Sequence, residues 1–125
     1  MNSNYHFEDI SFSGEILVTG PKNGVYETRY SNKKIKSLKT YVNGKLHGLC
    51  QSYDLYGNLL TESNYKNDML HGMTKIYHSP KIEGTVEPKI HKVIYYKNNV
   101  KTGLEKIYLQ DGTLFITYDH SYIED

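Results

Sequence analysis

The sequence predicts an all-β chain, an elongated antiparallel sheet of consecutive β-hairpins built from a repeat. Three observations carry this. One phrase recurs: Tyr41, Gly48 and Tyr53 stand in the same register as Tyr65, Gly72 and Tyr77, and again as Tyr96, Gly103 and Tyr108. Turn residues punctuate the chain at short intervals, among them Asn43-Gly44, Gly57-Asn58 and Asp111-Gly112. Hydrophobic content is 38%, with 13 tyrosines, which suits a thin sheet better than a thick core, because Tyr supplies apolar area with a polar tip.

Taken in order, residues 1–23 read as a lead-in with a capping strand at 15–19, closed by the turn signal Gly20-Pro21-Lys22-Asn23-Gly24. The repeat array is expected over 24–120. It opens with a worn copy in which Gly24 and Tyr30 take the parts of Gly48 and Tyr53. An atypical first repeat is normal, because it must cap the array against water. Strands are expected at 25–30, 35–42, 49–53 and 59–66, with 43–48 as a connection and 54–58 as a tighter turn. The glycines are read as turn markers, since Gly reaches positive φ without steric cost. The period then breaks. Tyr77 to Tyr96 is 19 residues, where Tyr53 to Tyr65 is 12, so 78–92, with Pro80, Gly84 and Pro88, is read as a loop insertion. Insertions of this kind fall in loops and often lie on the working face. Strands at 93–97, 104–109 and 113–119 finish the array, and 121–125 is a tail.

The bulk chemistry excludes several classes. Net charge is +1, so no global field points to nucleic acid. The charge is uneven: residues 22–47 carry seven Lys or Arg against Glu27, whereas the last fifteen carry acids and no base. A single cysteine, Cys50, rules out an intrachain disulfide. The first residues lack a signal-peptide pattern, and no run approaches a membrane span, so a cytoplasmic location is expected. No cofactor or metal is expected. His47 and His71 are repeat-equivalent, which reads as a structural preference, and the other histidines lack ligand spacing. Cys50 has no partner motif for nucleophilic work, and Gly20 to Gly24 is not followed by a helix that would make a phosphate loop.

Alternation puts Leu49 with Tyr53, Met73 with Tyr77, and Leu104 with Tyr108 on one face, separated by Gln51, Lys75 and Lys106. Tyr41, Tyr65, Tyr96 and Tyr118 are expected to extend this tyrosine row. The tyrosines either pack repeat on repeat or line a groove where a partner docks, a place where Tyr is favoured. The lysines at 33–39 either solubilise an edge or meet an acidic partner or anionic lipid.

The phrase Y-x-N-G-x-x-x-G-x-x-x-x-Y, followed by G-x-L and a further tyrosine, resembles the MORN repeat in its bacterial variant form. The matching residues are Tyr41, Gly44, Gly48, Tyr53, Gly57 and Leu59, then Tyr65, Gly72 and Tyr77, then Tyr96, Gly103, Tyr108, Gly112, Leu114 and Tyr118. The pattern is departed from at Asp68 and Asn99, where the turn glycine is missing, and at 78–92. The resemblance implies a non-enzymatic array. It is similar to the YwqK-like antitoxins, which implies an immunity protein that binds a cognate toxin or effector and occludes its active site. The alternative is a scaffold or membrane-surface adaptor holding anionic lipid through its lysines. Candidate partner-binding residues are Tyr53, Tyr77, Tyr108, Lys75, Lys106, Lys34 and Lys36, with Glu83 and Glu87 in the insertion.

Overall fold

Ten strands follow one another in a computed structural model that describes residues 22–83 and 87–121. They are β1 (Gly24–Arg29), β2 (Ile35–Val42), β3 (Lys45–Leu46), β4 (Gly48–Tyr53), β5 (Leu59–Lys66), β6 (Met69–Leu70), β7 (Gly72–His78), β8 (Lys89–Lys97), β9 (Val100–Tyr108) and β10 (Leu114–Asp119). All pair antiparallel in the order β1-β2-β4-β5-β7-β8-β9-β10, with β3 against β2 and β6 against β5. Along this path each strand pairs with the one before and the one after it, so the all-β hairpin array expected from the repeat is the observed fold. At the usual spacing between strands the main path is about 34 Å wide. The expected strand at 15–19 and most of the 121–125 tail lie outside the described residues.

The two ends of the hairpins turn differently. At one end Asn43-Gly44, Asn67-Asp68 and Asn98-Asn99 form two-residue turns with positive φ at both positions, from 49 to 78°. That is the turn whose twist matches a hairpin, and Asn, Asp and Gly tolerate it best. The expected 43–48 connection is therefore a two-residue turn, a short strand and a bulge. Tyr41 pairs with Leu46 and Leu38 with Gln51, so three steps along β2 match five on the partner. His47 and Gly48 absorb the difference. The repeated glycines Gly48, Gly72 and Gly103, at φ 98, 105 and 67°, sit in these bulges and not in turns, which corrects the reading of them as turn markers.

At the other end, the turns 31–33, 55–57 and 110–112 close through Tyr30–Lys34, Asp54–Asn58 and Leu109–Thr113 backbone bonds of 2.9 Å. Lys33, Gly57 and Gly112 take the left-handed position. A second set of bulges follows, at Lys36, Leu60, His91 and Phe115. The insertion is smaller than expected. His78 pairs with Lys89 and Tyr77 with Ile90, so the connection is 79–88, and residues 89–92 are strand. Ile90 and Lys92 pair with Tyr77 and Ile76 on either side of the bulged His91, which carries the strand outward past the expected start.

Consecutive repeats are stitched at the two-residue turns. The Asp68 N–H donates to the Leu46 carbonyl at 2.9 Å, and its carboxylate accepts from the Leu46 N–H at 2.7 Å. Asn99 makes the same reciprocal pair with Leu70, at 2.9 and 2.8 Å. Gly44, without a side chain, gives only its N–H, to the Lys22 carbonyl. The departures from the repeat pattern at 68 and 99 thus add a bond that glycine cannot make. His47 Nδ1 accepts from the Asn67 N–H and His71 Nδ1 from the Asn98 N–H, each at 3.4 Å, a structural use of the repeated histidines.

The bulge glycines differ in strain. An L side chain is far less at home at φ 105° than at φ 67°. A Cβ at Gly72 would meet only Asn64 Cβ, at 3.5 Å, and one at Gly103 would meet nothing within 4 Å, so backbone conformation decides the cost. Gly72→Ala is expected to destabilise by about 1–2 kcal/mol and Gly103→Ala by clearly less. Urea melts of both variants check the order, and equal losses would show that crowding rather than φ governs the bulge.

Candidate functional site

Register and alternation divide the strand residues between two faces. One face carries Cys50, Ser63, Thr74, Ile94 and Glu105 in a row across the sheet, flanked by Tyr41, Tyr65 and Tyr96. The other carries Glu27, Leu38, Gln51, Glu62, Lys75, Val93, Lys106 and Thr117 in the next row, flanked by Tyr53, Tyr77 and Tyr108. The tyrosines therefore form two rows on opposite faces. The expectation that Tyr41, Tyr65, Tyr96 and Tyr118 extend the Tyr53 row is corrected by the pairing of Gly48 with Tyr65 and Gly72 with Tyr96. The one-residue bulges at Leu60 and His91 shift the parity of the strands they interrupt, which sets Tyr65 and Tyr96 on the Cys50 side, opposite Gly48 and Gly72.

The faces differ in burial. Cys50, Thr74, Ile94 and Glu105, the buried strand residues, all lie on the Cys50 face. This face holds itself together. Hydroxyls pair across it, Thr28 with Ser37 at 2.5 Å and Ser52 with Thr61 at 2.6 Å. Glu105, 3% exposed, meets His120 at 2.7 Å, Lys101 at 3.0 Å and Lys92 at 3.4 Å. Burial works to raise the Glu105 pKa, but the hydrogen bonds from His120 and Lys101 outweigh it and the carboxyl is held below its usual value. Burial pushes the Cys50 thiol up, against the pull of a backbone bond at Thr40 and of Lys39, so its thiolate is disfavoured.

The Gln51 face is the presented one. Val25, Val42, Leu49, Tyr95, Val100 and Leu104 all belong to it by register, and each is 40 to 67% exposed. Among the described strand residues, Tyr118 is the large exposed apolar side chain of the Cys50 face, while Leu114 and Phe115 flank a bulge. Apolar exposure concentrated on one side points to an interaction surface rather than a random scatter.

The structure brings five of the nine expected residues together here: Tyr53, Tyr77, Tyr108, Lys75 and Lys106 share the Gln51 face, all half-buried. Gln51 Nε2 donates to Glu62 at 2.8 Å, and the Tyr77 hydroxyl donates to Glu62 at 2.5 Å. The Tyr53 hydroxyl reaches Gln51 at 3.4 Å. Polar groups between the tyrosines are thus fixed by one another and hold the rings in place. Lys34 and Lys36 are placed apart. Lys34 lies across Gly57, and Lys36 Nζ sits 5.7 Å from the centroid of the Tyr30 ring. Lys39 is on the Cys50 face, so these lysines do not form one basic surface.

Glu83 and Glu87 lie in the 79–88 connection, not on the sheet. That connection is tied to the preceding turn: Ser79 Oγ donates to Asp54 at 2.6 Å, and Asn58 Nδ2 donates to the Ile82 carbonyl at 2.8 Å. Beside it is a cleft of about 220 Å³, lined by Asn58, His78, Ser79, Glu87, Lys89 and Gln110 among others. His78 and His91, rings 4.4 Å apart, each bring a nitrogen to the Tyr108 carbonyl, at 3.1 and 3.2 Å. Among the described residues no group of three or more His, Cys, Asp or Glu is placed to hold a metal ion. Val25, Val42, Tyr95 and Val100 were not singled out by sequence. Their signal is parity with Leu49 and Leu104, legible only once the bulges fix the register.

The Tyr77–Glu62 bond makes a pH signature. Burial, then the bond and charge of Glu62, push the Tyr77 phenol up to about 12 from 10.0. A raised folded-state pKa favours the protonated form in the fold, so this contribution is whole below pH 10.0 and lost as pH rises through about 12. Glu62 shifts the opposite way, held low mainly by Tyr77 against burial, so its share is present above 4.5 and lost on acidification. Tyr77→Phe is expected to flatten the loss of stability over the alkaline interval, read from denaturant midpoints against pH. An unchanged alkaline slope would assign that loss to other tyrosines.

Compared with family models, curated proteins and solved structures, the chain matches none.

Proposed function

We propose that this protein is a non-enzymatic binding module that neutralises a cognate toxin or effector by laying its Gln51 face over the partner's active site. The observation that carries the reading is the sorting of side chains. The buried strand residues lie on one face, while exposed Val25, Leu49, Tyr95 and Leu104 stand on the other with fixed tyrosines between them. Tyr held by neighbouring polar groups gives contact area at little entropic cost. Lys75 beside Glu62, with Lys106 two strands further along the same row, supplies a charge pattern that selects a complementary surface. The resemblance of the repeat to antitoxin arrays agrees with this use of an open sheet, and a cytoplasmic partner fits a chain whose single thiol is buried.

The alternative, a scaffold or adaptor on anionic lipid, needs a basic surface. It is less favoured because Lys34 and Lys36 are engaged with the chain's own Gly57 and Tyr30, and Lys39 lies on the far face.

Tagged protein recovered from its native cell is expected to bring down one stoichiometric partner that is toxic when expressed alone and harmless when co-expressed. Leu49→Asp with Leu104→Asp is expected to abolish the rescue, while Lys39→Glu, on the Cys50 face, leaves it intact. Capture of membrane or cytoskeletal proteins with no toxic partner would sink the reading. Binding to anionic vesicles that disappears in Lys34→Glu plus Lys36→Glu would favour the adaptor.

A further inference from the structure

Among the described residues, the outer edge of β10 is open. Among the described residues β10 pairs only with β9. Sheet edges in soluble proteins are blunted by Lys, Pro or covering loops. Residues 113–119 contain no Lys, Arg or Pro, and Leu114, Phe115 and Tyr118 are 49, 66 and 47% exposed. The edge at β1 is different, since Glu27 and Arg29 form an ion pair at 3.1 Å along it.

The backbone of β10 states which residues offer hydrogen bonds outward. The His120 N–H donates to the Gly103 carbonyl, and Tyr118 lies opposite Glu105 in the same alignment. Bonded and non-bonded pairs alternate in an antiparallel ladder. Residues 116, 118 and 120 therefore point their amides at β9, and Thr117 and Asp119 point theirs outward. An outward residue can pair only with an outward residue of another strand.

From this we infer that β10 pairs with β10 of a second copy, antiparallel about a two-fold axis through Thr117. In that register Thr117 faces Thr117 of the other copy and exchanges both backbone bonds with it. Tyr118 of each copy faces Ile116 of the other, an aromatic and β-branched cross-strand pair made twice by symmetry. Asp119 of each copy lies opposite Phe115 of the other, so the two Asp119 carboxylates stand at opposite ends. The axis is perpendicular to the sheet, which continues the Gln51 face of one copy into that of the other. The dimer closes on itself, as most homo-oligomers do, instead of growing head to tail. The inference does not depend on the partner proposed above, since it concerns the chain alone.

A side chain facing its own symmetry mate gives a specific test. Thr117 is exposed and lies on the Gln51 face, where a longer side chain extends into solvent. Sedimentation velocity on the full chain over a range of concentrations is expected to show reversible monomer and dimer. Thr117→Lys and Thr117→Glu each set like charges directly opposite, and each is expected to weaken the dimer roughly tenfold. An equimolar mixture of the two variants is expected to restore association, as a heterodimer. Thermal melts check that both variants stay folded. Wild type that remains monomeric at every concentration overturns the inference. So does a series of larger species, which would mean head-to-tail growth, or dimerisation indifferent to charge at 117.

Discussion

A one-layer sheet lacks the second layer that usually gives a β protein its core, and here cohesion between consecutive repeats rests on the reciprocal bonds at the two-residue turns. None of the described side chains is fully buried, and the buried apolar residues are Cys50 and Ile94. A strand ladder alone leaves neighbouring hairpins free to twist against each other. Asp68 gripping both backbone groups of Leu46, and Asn99 those of Leu70, fixes the relative position of each pair at its outermost point. The same geometry explains why Asn and Asp fill these positions. They accept a left-handed backbone at modest cost and carry an acceptor of the right length.

The bulges then decide what each face can be. Without the one-residue bulges at Leu60 and His91, Tyr65 would not face Gly48, nor Tyr96 face Gly72. One face becomes the packing side, and its tyrosines serve the fold. The other keeps its tyrosines in a row beside charged and aliphatic groups. A repeat of identical letters thus produces two chemically different surfaces, and the difference comes from backbone register, not from composition.

Much of the fold was legible in the sequence. The recurrence of Tyr, Gly and Tyr in one register, with Asn43-Gly44 and Asp111-Gly112 as turns, was enough for the order and direction of the strands. The bulges were not legible, because a strand with an inserted Gly and a turn with a Gly read alike until the pairing partners are known. The one-residue bulges at Lys36, Leu60 and His91 carry no glycine to mark them, and missing them placed Tyr41, Tyr65 and Tyr96 on the wrong face. The insertion was overestimated for a related reason. Lys89 and His91 look like loop residues by polarity, yet Lys89 and Ile90 pair with β7 and His91 is a bulge within the strand. Lys34 and Lys36 were read as a charge run, whereas Lys34 lies across Gly57 and the Lys36 ammonium sits over the Tyr30 ring.

Strand edges and strand faces place opposing demands on an open array of this kind. A face can expose apolar groups safely when they are separated by charges, as Lys75 and Glu62 separate Leu49 from Val93 and Tyr95. An edge also exposes unpaired backbone groups, so its side chains must discourage a neighbouring strand. Nature's usual remedy is a lysine or proline in the edge strand. The Lys-rich composition of residues 22–47 places such residues near β1 and β2, whereas none stand in β10. An array that could have carried a single lysine at Thr117 and does not has kept that edge available, and the side chains on it are those that favour a neighbouring strand.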